Sequence, residues 1–587
     1  MQRRAVSRAG QGIGCLLFLL GFGAAGARGV AHLVRPDGTG DFPTIQAALD
    51  GSANGDTVLL ANGTFTGAGN RDLDFRGRAI VLASQERSAS ACVIDVEASP
   101  TAPHRGIFCH SAEGPGTAVE DVTITRAYAP VGGAALLLAA GPSFRRVVFA
   151  GNSAATAGAV YVLNGSPIFE GCIFRDNIIP MGSGGAFYGK FGGTPRFTGC
   201  KFFDNQARYG GGAYFRENSS PIFERCIWTG NHASFGGAIM GVDQTHPRLT
   251  DNTFDRNRAS DGGAIHLGSA VDAELIRCEL SRNEATRGGG LSCWNAVAFL
   301  TKCLFTENRA GSRGGGVYAD SGTALSLVEC TLVTNDADWD AGAVSALHAG
   351  VELSRCTLSG NAATDTLAAG VSARGASQVT LDATIVAFGR SGRAVHCDGE
   401  AQVTVSGCDI FANAGGDYVG CIAGLAGTAG NISADPLFCN LGGREFMLDA
   451  RSPCATRIEI RHGMIGAWSV GCSTPGDGRA GVADDRSSPQ AEIGQFDVGP
   501  IRPNPFRTTT IITYAMPERP DPPARLEILD CAGRRVRTLP CAPSVTRGQV
   551  AWDGRDAQGR PVAAGVYQAR LRVGERAVAT SPVLVIR

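Results

Sequence analysis

The chain has 587 residues, a net charge of −1 and 44% hydrophobic residues. Ample apolar content without a charge excess excludes a disordered chain and argues against a nucleic-acid partner, which calls for a basic surface. Glycine accounts for 81 residues and aromatic side chains for only 7%, so we expect an interior built from small and β-branched side chains.

The N-terminus predicts a secretory signal peptide over residues 1–27. Three arginines among the first eight residues precede an apolar stretch, and residues 25–27 (Ala-Gly-Ala) have the small-x-small pattern of a cleavage site. The apolar run is too short to cross ~30 Å of hydrocarbon, and no later run reaches ~20 residues. We therefore expect a secreted or cell-surface protein, peripheral to the membrane, with no transmembrane span in the mature chain.

Residues 28–110 are predicted to form an N-terminal cap and the first coils of a solenoid. A first strand is followed by a short helix in which Ile45, Ala48 and Leu49 share one face. A solenoid needs a cover over its open end, and an amphipathic helix supplies one.

From residue 111 to 472 the sequence repeats with a period of about 26 residues. Cysteine recurs at one position, with Asn252 and Asp382 in the two slots that lack it, and an asparagine follows each slot five residues later except at Ala387. The two predicted ladders are Cys172, Cys200, Cys226, Cys278, Cys303, Cys330, Cys356 and Cys408, and Asn177, Asn205, Asn231, Asn257, Asn283, Asn308, Asn335, Asn361 and Asn413.

A glycine pair followed by small and apolar residues lies between asparagine and the next cysteine, as at residues 236–239 and 262–265. Short alternating apolar segments at this period suit one turn of a parallel β-helix, whose coils stack ~4.8 Å apart. The cysteines then form an interior ladder, the asparagines a ladder at a turn, and the glycines a bend with positive φ. A metal site is the alternative for the cysteines, but no Cys-x-x-Cys pair occurs.

The paired Phe-x-x-Asn and Gly-Gly-Ala-Ile signatures, such as residues 254–257 and 262–265, resemble the repeats of chlamydial-type polymorphic outer-membrane proteins. That resemblance implies an all-β fold, a right-handed parallel β-helix of the pectin-lyase-like class. The opening at residues 33–65 also resembles pectinesterases, but their catalytic Gln-Asp-Thr and Asp-Phe-Ile-Phe-Gly stretches are absent, as are those of polygalacturonases. The resemblance therefore carries over a cap and no active site.

After residue 435 the repeat breaks down and cysteines cluster. Disulfides are predicted among Cys397, Cys421, Cys439, Cys454 and Cys472; their pairing stays open, with Cys439 to Cys454 or Cys472 favoured.

Residues 473–497, rich in Gly, Asp, Ser, Arg and Pro, predict a linker. Alternating strands in residues 498–587 predict a small β-sandwich, with Cys531 and Cys541 as candidates for a bridge. The order of its motifs resembles the Ig-like domain of flagellar-hook-capping proteins and the C-terminal sorting domains of type IX secretion. This implies a sorting or attachment domain.

Two columns of stacked side chains are candidates for a ligand-binding face. The bend column, just before the glycine pair, reads Ser183, Tyr209, Phe235, Asp261, Arg287, Arg313 and Asp340. The strand column, just after the repeat's apolar residue, reads Tyr188, Phe215, Met240, His266, Ser292 and Tyr318.

Aromatic rings beside an acid–base ladder can hold a sugar chain by stacking and bidentate hydrogen bonds. The alternative is a set of solvent-exposed ladder pairs without a ligand. The predicted ligand-binding residues are Tyr188, Tyr209, Phe235, Asp261, His266 and Tyr318.

Asp336, Asp338 and Asp340 alternate along the chain and share one face if the segment is extended, which makes Ca²⁺ the one candidate cofactor. The alternative is an acidic bend with no metal. A lyase would pair such carboxylates with a basic residue, for which Arg313 and Arg287 are the candidates.

Three functions follow from these features. The first is a non-enzymatic, monomeric surface protein that binds a polysaccharide or another cell-surface component and is displayed through its C-terminal domain. The second is a secreted polysaccharide lyase or hydrolase of the β-helix class that acts on uronic-acid-rich glycans. The third is a purely structural solenoid.

Overall fold

The computed structural model describes residues 29–364, 367–442, 445–455, 464–472, 497–502, 509–515, 524–530, 534–541, 547–563, 565–573 and 576–585. The predicted signal peptide and residues 473–496 of the predicted linker lie outside these ranges. The chain divides into two compact units, one ending at Gly476 and the other beginning at Asp477.

The first unit is a parallel β-solenoid, which confirms the predicted fold class. Each coil contributes one short strand to each of three parallel sheets, with extra strands at the bend between sheets 2 and 3. In the described ranges, sheet 1 has 15 strands, sheet 2 has 14 and sheet 3 has 13.

The strands of sheet 1 are Ala31–Val34, Thr57–Leu60, Val81–Ser84, Ala118–Glu120, Ser143–Arg145, Ile168–Glu170, Arg196–Thr198, Ile222–Glu224, Arg248–Thr250, Asp272–Ile276, Val297–Thr301, Ala324–Val328, Gly350–Ser354, Gln378–Asp382 and Gln402–Ser406. Those of sheet 2 are Gly63–Phe65, Cys92–Asp95, Thr123–Thr125, Val148–Ala150, Ile173–Arg175, Lys201–Phe203, Ile227–Thr229, Thr253–Asp255, Glu279–Ser281, Leu304–Thr306, Thr331–Val333, Thr357–Ser359, Ile385–Ala387 and Asp409–Phe411. Those of sheet 3 are Leu73–Asp74, Ile107–Cys109, Ala135–Leu138, Val160–Leu163, Phe187–Lys190, Ala213–Phe215, Ile239–Gly241, Ile265–Leu267, Leu291–Trp294, Val317–Asp320, Val344–Leu347, Ala368–Arg374 and Arg393–Cys397. The bend strands are Tyr128–Val131, Ser153–Thr156, Ile178–Ser183, Gln206–Tyr209, Glu284–Arg287, Arg309–Arg313, Asp336–Ala337 and Ala362–Ala363.

Stacked phenylalanines fill part of the interior. The strand residues Phe169, Phe197 and Phe223 pair in register, and successive ring centroids lie 4.8 and 4.6 Å apart. Side chains alternate in and out along a strand, so a three-residue strand with an apolar centre here places one ring inside per coil. Identical residues at identical repeat positions therefore build a continuous core from few aromatic residues.

The asparagines form a buried ladder along the turn after sheet 2. Asn231 donates through Nδ2 to the carbonyl of Phe202 at 2.9 Å and to Oδ1 of Asn257 at 2.9 Å, while its backbone N–H reaches the same Oδ1 at 3.1 Å. The break in this ladder lies at Gly389, whose N–H donates to Oδ1 of Asn413. Each amide thus satisfies backbone groups that the turn would otherwise bury unpaired.

The ladder cysteines are buried thiols. Cys200, for example, donates to the carbonyl of Phe169 with Sγ and O 3.4 Å apart, and burial raises the pKa of its thiol. The slot assigned to Asp382 belongs instead to Thr384, whose Oγ1 accepts the N–H of Cys356. The error arose because this coil is two residues longer between the slots.

The glycine pairs serve two steric needs. Gly236 has φ +62°, in the left-handed region. A Cβ atom on Gly237 would lie 2.1 Å from the carbonyl oxygen of Gly263 in the next coil. The approach of neighbouring coils at this bend therefore requires that the second residue of the pair has no side chain.

Both ends of the solenoid are covered. The helix Ile45–Gly51 is capped by Thr44, whose hydroxyl accepts the N–H of Ala47, and it buries the three residues predicted for its inner face. At the other end lie the 3-10 helix Gly420–Ile422 and a small sheet of Phe438–Asn440, Glu445–Asp449 and Val470–Cys472.

The C-terminal end also carries two disulfides, Cys397–Cys421 and Cys439–Cys472. The second is one of the two favoured pairings, and Cys454 is buried and belongs to neither disulfide.

The second unit holds two antiparallel sheets around their own core. One sheet consists of Asp497–Arg502, Thr510–Ala515 and Arg547–Trp552, and the other of Arg535–Pro540, Ala524–Leu529, Gly565–Val573 and Arg576–Val585. Leu526, Ile528 and Trp552 lie in that core. Cys541 carries a free thiol, which contradicts a bridge at this position, and Cys531 lies outside the described residues.

In the ranges that the structure describes, no helix has the length and apolar character to cross a membrane.

Candidate functional site

The strand column lies on sheet 3, and the bend column lies beside it at the bend between sheets 2 and 3. The strand register corrects one member of the strand column, because Tyr188 pairs with Tyr214 rather than with Phe215, which is buried in the core. A third glycine at residues 210–212 shifted the expected register. The column continues through Met240, His266, Ser292, Tyr318, Ser345, Ser372 and His396.

The N-terminal part of this face is an apolar layer. Tyr161, Tyr188, Tyr214 and Met240 are buried there, with Tyr209 and Phe235 packed against them. Of the predicted ligand-binding residues, Tyr188 and Tyr209 belong to this layer and do not line the pocket described next. Their role in the fold is to support the surface on which the pocket is built.

A pocket of about 240 Å³ opens where the apolar layer gives way to charged residues. Four of the predicted ligand-binding residues line it, and so does the candidate catalytic residue Arg287. The full lining is Phe235, Asp261, His266, Arg287, Ser292, Trp294, Tyr318 and Asp320. Aromatic rings and charged groups thus face one space.

Asp261 and Arg287 form a two-pronged ion pair in this pocket. Nε of Arg287 lies 2.6 Å from Oδ1 of Asp261, and Nη2 donates to Oδ2 at 2.8 Å. The hydrogen bond to Asp261 raises the pKa of Arg287 above its usual value. The pair is not fully exposed, since the Asp261 side chain is 6% accessible and that of Arg287 is 43% accessible. The guanidinium is therefore fixed in place while one of its faces reaches solvent.

Tyr318 links this ion pair to a second carboxylate. The guanidinium carbon of Arg287 lies 5.8 Å from the centroid of the Tyr318 ring, within cation–π range. The Tyr318 hydroxyl donates to Oδ2 of Asp320 at 2.9 Å, and burial raises the pKa of the phenol. Ser321 donates through both N–H and hydroxyl to Oδ1 of Asp320. These contacts hold the carboxylate at the rim of the pocket.

His266 is a neutral histidine on the inner wall of the pocket. Burial lowers its pKa to about 4, although Asp261 opposes the shift, so the imidazole is uncharged at pH 7. The edge of its ring meets Phe235 with centroids 5.5 Å apart. Nδ1 is buried and has no hydrogen-bond partner in the described part of the chain. The pocket wall therefore includes a neutral imidazole whose Nδ1 is shielded from solvent.

Trp294 and Asp320 were missed at the sequence level. They pair in register one coil apart and end the strands that hold Ser292 and Tyr318. Trp294 is 49% exposed, which is unusual for its size. The sequence does contain a signal for both residues. Each lies two positions after a residue of the strand column, Ser292 or Tyr318, and residues two apart in a strand share a face.

A second Asp–His–Arg group lies further along the same columns. Ser345 donates to Oδ2 of the fully buried Asp340 at 3.0 Å, and Nη1 of Arg374 lies 3.9 Å from that oxygen. Burial lowers the pKa of His396, and Asp340 opposes the shift. Four buried polar atoms of this group have no hydrogen-bond partner among the described residues: Asp340 Oδ1, Ser372 Oγ, Arg374 Nη1 and His396 Nδ1.

Arg313 is joined to Asp340 by a backbone β-bridge, but among the described residues its side chain forms no ion pair with that carboxylate. Its guanidinium carbon lies 4.4 Å from the centroid of the Trp339 ring, and that of Arg374 lies 4.9 Å from the same ring. Both arginines thus stack on one indole, and Arg374 also lies near the buried Asp340.

The three aspartates proposed for Ca²⁺ do not converge. Asp336 pairs with Arg390, and Asp338 pairs with Arg309 at 3.1 Å, whereas Asp340 turns inward. The extended segment ends after Asp336–Ala337, so the alternation that would align all three is lost. Across the described ranges, no group of three or more metal-ligating side chains is found.

The fold and this face define the class, a right-handed parallel β-helix repeat protein with a C-terminal Ig-like domain. Residues 105–309 match the right-handed beta helix region family. Residues 302–320 match the chlamydial polymorphic membrane protein repeat, and residues 507–575 match the FlgD Ig-like domain. The matches confirm the resemblances seen in the repeat and in the C-terminal motifs. No curated protein sequence matches this one.

Several solved structures show a distant likeness. A periplasmic alginate epimerase is 10% identical with a TM-score of 0.31, over 60% of this chain and 77% of that one. The catalytic unit of an α-1,3-glucanase from Streptomyces thermodiastaticus is 12% identical with a TM-score of 0.29, over 70% and 69%. The A-module of a mannuronan C-5 epimerase from Azotobacter vinelandii is 11% identical with a TM-score of 0.27, over 67% and 94%. At these scores the likeness carries no conclusion about chemistry.

Proposed function

We propose that this protein binds a glycan, without cleaving it, at the pocket between Phe235 and Asp320. The observation that carries the proposal is the combination of an exposed indole at Trp294, a fixed guanidinium at Arg287 and a held carboxylate at Asp320 around one space. A sugar ring presents a C–H face that stacks on an aromatic ring, and hydroxyls that both donate and accept hydrogen bonds. Asp320 accepts, Arg287 donates, and neutral His266 can do either.

The second Asp–His–Arg group supports an extended ligand. His396 lies five strand steps from His266 in the strand column, which is roughly 24 Å at ~4.8 Å per step. A linear glycan that runs along the solenoid axis would meet both groups. Two contacts on one chain strengthen binding by raising the effective concentration of the second contact.

A glycan array with the mature chain identifies the ligand, and titration calorimetry then measures the dissociation constants of variants. Trp294→Ala and Arg287→Lys are each expected to weaken binding about tenfold or more, which corresponds to about 1.4 kcal/mol. The matched control is Phe299→Ala, because Phe299 is 52% exposed but lies on sheet 1. An equal loss of affinity in the Phe299→Ala control would contradict the assignment of the glycan site to this pocket. If no glycan on the array binds the protein, a purely structural role for the solenoid is favoured.

Depolymerisation is the second candidate function. The neutral imidazole of His266 favours it, since an uncharged histidine beside an arginine and a carboxylate can accept a proton. The purified protein is incubated with uronic-acid-rich polysaccharides, with and without Ca²⁺, while reducing ends and unsaturated products are followed. Product formation that is lost in His266→Gln would replace the binding proposal with an enzymatic one.

We also propose that the chain is exported and displayed through its C-terminal domain. The basic and apolar start of the sequence and the FlgD Ig-like match support this. N-terminal sequencing of the surface fraction is expected to begin at Arg28. A chain that retains residue 1 in the cytoplasm would contradict it.

A further inference from the structure

The charged groups that line the pocket on sheet 3 do not balance. Asp261 and Arg287 form the ion pair described above, and Asp320 adds a second carboxylate to the lining. His266 adds no positive charge, because burial lowers its pKa to about 4. At pH 7 the lining therefore holds two carboxylates against one guanidinium, an excess of one negative charge.

The charged residues further along the same columns leave this excess unchanged. Arg313 lies beside Tyr318 but does not line the pocket. Arg374 pairs with Asp398 at 2.8 Å and lies 3.9 Å from Asp340. These two arginines and two aspartates cancel, so counting them together with the pocket still leaves one carboxylate in excess.

Asp320 forms no ion pair in the part of the chain that the structure describes, and its contacts are with neutral donors. Its Oδ2 accepts from the Tyr318 hydroxyl at 2.9 Å. Its Oδ1 accepts from the N–H and from the hydroxyl of Ser321 at 2.7 and 2.9 Å. Each carboxylate oxygen can accept about two hydrogen bonds. Oδ2 therefore keeps a place for a donor that comes from a ligand.

The charge of Arg287 is already compensated, which disfavours an acidic sugar. Its Nε and Nη2 make paired contacts with the two carboxylate oxygens of Asp261, the arrangement in which a guanidinium binds a carboxylate best. A ligand carboxylate would have to share this guanidinium with Asp261. It would also be a third carboxylate in the pocket, and like charges in one site repel.

The indole of Trp294 brings a sugar ring next to Asp320. The two residues pair in register on adjacent coils, which lie ~4.8 Å apart. The pocket volume of about 240 Å³ lies below the ~300–1,000 Å³ of most small-molecule sites, so the pocket suits one sugar ring rather than several. A ring that stacks on the exposed indole brings its substituents to the carboxylate.

We propose that the glycan bound here carries a free amino group, protonated to an ammonium, on the sugar ring that stacks on Trp294. This inference rests on the proposed glycan binding and names the chemical class of the sugar. A neutral ring over Asp320 would remove water from a carboxylate without compensating its charge, which costs free energy. An ammonium offsets that cost through a charge-assisted hydrogen bond to Oδ2, and it is also attracted to the face of an aromatic ring.

The test compares three soluble probes by titration calorimetry with the full mature chain, at a pH at which sugar amines are protonated. The probes are a glucosamine hexamer, an N-acetylglucosamine hexamer and a uronic-acid hexamer. The first two differ in the acetyl group that removes the positive charge. The glucosamine hexamer is expected to bind about tenfold more tightly than the acetylated one, because charge-assisted hydrogen bonds are roughly twice as strong as neutral ones. The uronic-acid hexamer is expected to show no measurable binding.

Asp320→Asn removes the charge and keeps the size of the side chain. The amide oxygen can still accept from Ser321, so the variant is expected to bind the acetylated hexamer as the native chain does and to lose the preference for the amine. Misfolding would instead weaken binding of both hexamers, and the native preference would remain the test. The matched control Asp272→Asn removes the same charge from an exposed position on sheet 1 and is expected to keep the preference.

Several results would overturn the inference and leave glycan binding intact. They are equal affinity of the native chain for the two hexamers, tighter binding of the uronic-acid hexamer, a preference that survives Asp320→Asn, and binding of another glycan on the array but of none of the three hexamers. An array on which no glycan binds would refute the proposed function, and the inference with it.

Discussion

Replacing Asn257 by alanine measures how much one rung of the asparagine ladder contributes to stability. Asn257 is fully buried, and its side chain takes part in four hydrogen bonds. Its Nδ2 donates to the carbonyl of Trp228 at 2.9 Å and to Oδ1 of Asn283 at 3.0 Å, and its Oδ1 accepts both the backbone N–H and the Nδ2 of Asn231 at 3.1 and 2.9 Å. A net hydrogen bond contributes about 1 kcal/mol, and a buried group left unpaired costs more. We expect a loss of about 4 kcal/mol in the free energy of unfolding.

Urea unfolding, followed by far-ultraviolet circular dichroism, measures this loss. Because neighbouring coils of a repeat protein can unfold separately, hydrogen exchange by mass spectrometry localises it to the coils around residue 257. Gln402→Ala is the control, since it removes an exposed amide from a strand of the same solenoid. A loss below about 1 kcal/mol, or one no larger than that of the control, would refute the reasoning that the amides satisfy buried backbone groups.

Three further predictions concern other parts of the solenoid. Burial raises the pKa of Asp409 to about 6, so its protonated form favours the fold. This contribution to the free energy of unfolding is complete below the unfolded pKa of ~3.9 and is lost as the pH rises through about 6. Asp409→Asn should therefore abolish about 2–3 kcal/mol of the pH dependence of stability, measured by urea unfolding at pH values from about 4 to about 6. Gly237→Ala should lower the melting temperature more than Gly199→Ala, which has positive φ but open space around its Cβ; equal effects would contradict the close approach of coils. The double variant Cys397→Ser/Cys421→Ser should have a free energy of unfolding about 3 kcal/mol lower than that of the native chain in oxidising buffer. Equal free energies of unfolding would rule out a contribution from this disulfide.

The positions of several residues of the candidate site could be predicted from their places in the sequence repeat. Equivalent residues of successive coils stack in a parallel β-helix, so Phe235, Asp261 and His266 were placed on one face by counting along the repeat. The count failed at two positions. A third glycine, Gly212, stands where the preceding coil has Ala186, so Phe215 was expected at the position that Tyr214 occupies although the coil length is unchanged. A coil two residues longer moved the cysteine slot from Asp382 to Thr384.

The second Asp–His–Arg group shows the other limit of counting. The repeat places Asp340 in the bend column. Arg374 and His396 come after a register shift between Ala368 and Val371, so counting along the repeat does not predict that they lie near Asp340. Asp336 and Asp338 were expected beside Asp340 because extended residues alternate. The bend strand ends at Ala337, so the alternation stops there and the three carboxylates do not lie together.

The amino-acid sequence by itself determined the solenoid, its asparagine, cysteine and glycine ladders, its cap and the sandwich at its end. These features repeat or are local, and stacking turns a sequence period directly into a spatial one. Tertiary structure decided which side chains are exposed, which disulfides form, and that Arg287 binds Asp261 while Arg313 packs on Trp339. Such choices depend on distances of a few ångströms between coils, and a single inserted residue changes them without changing the period.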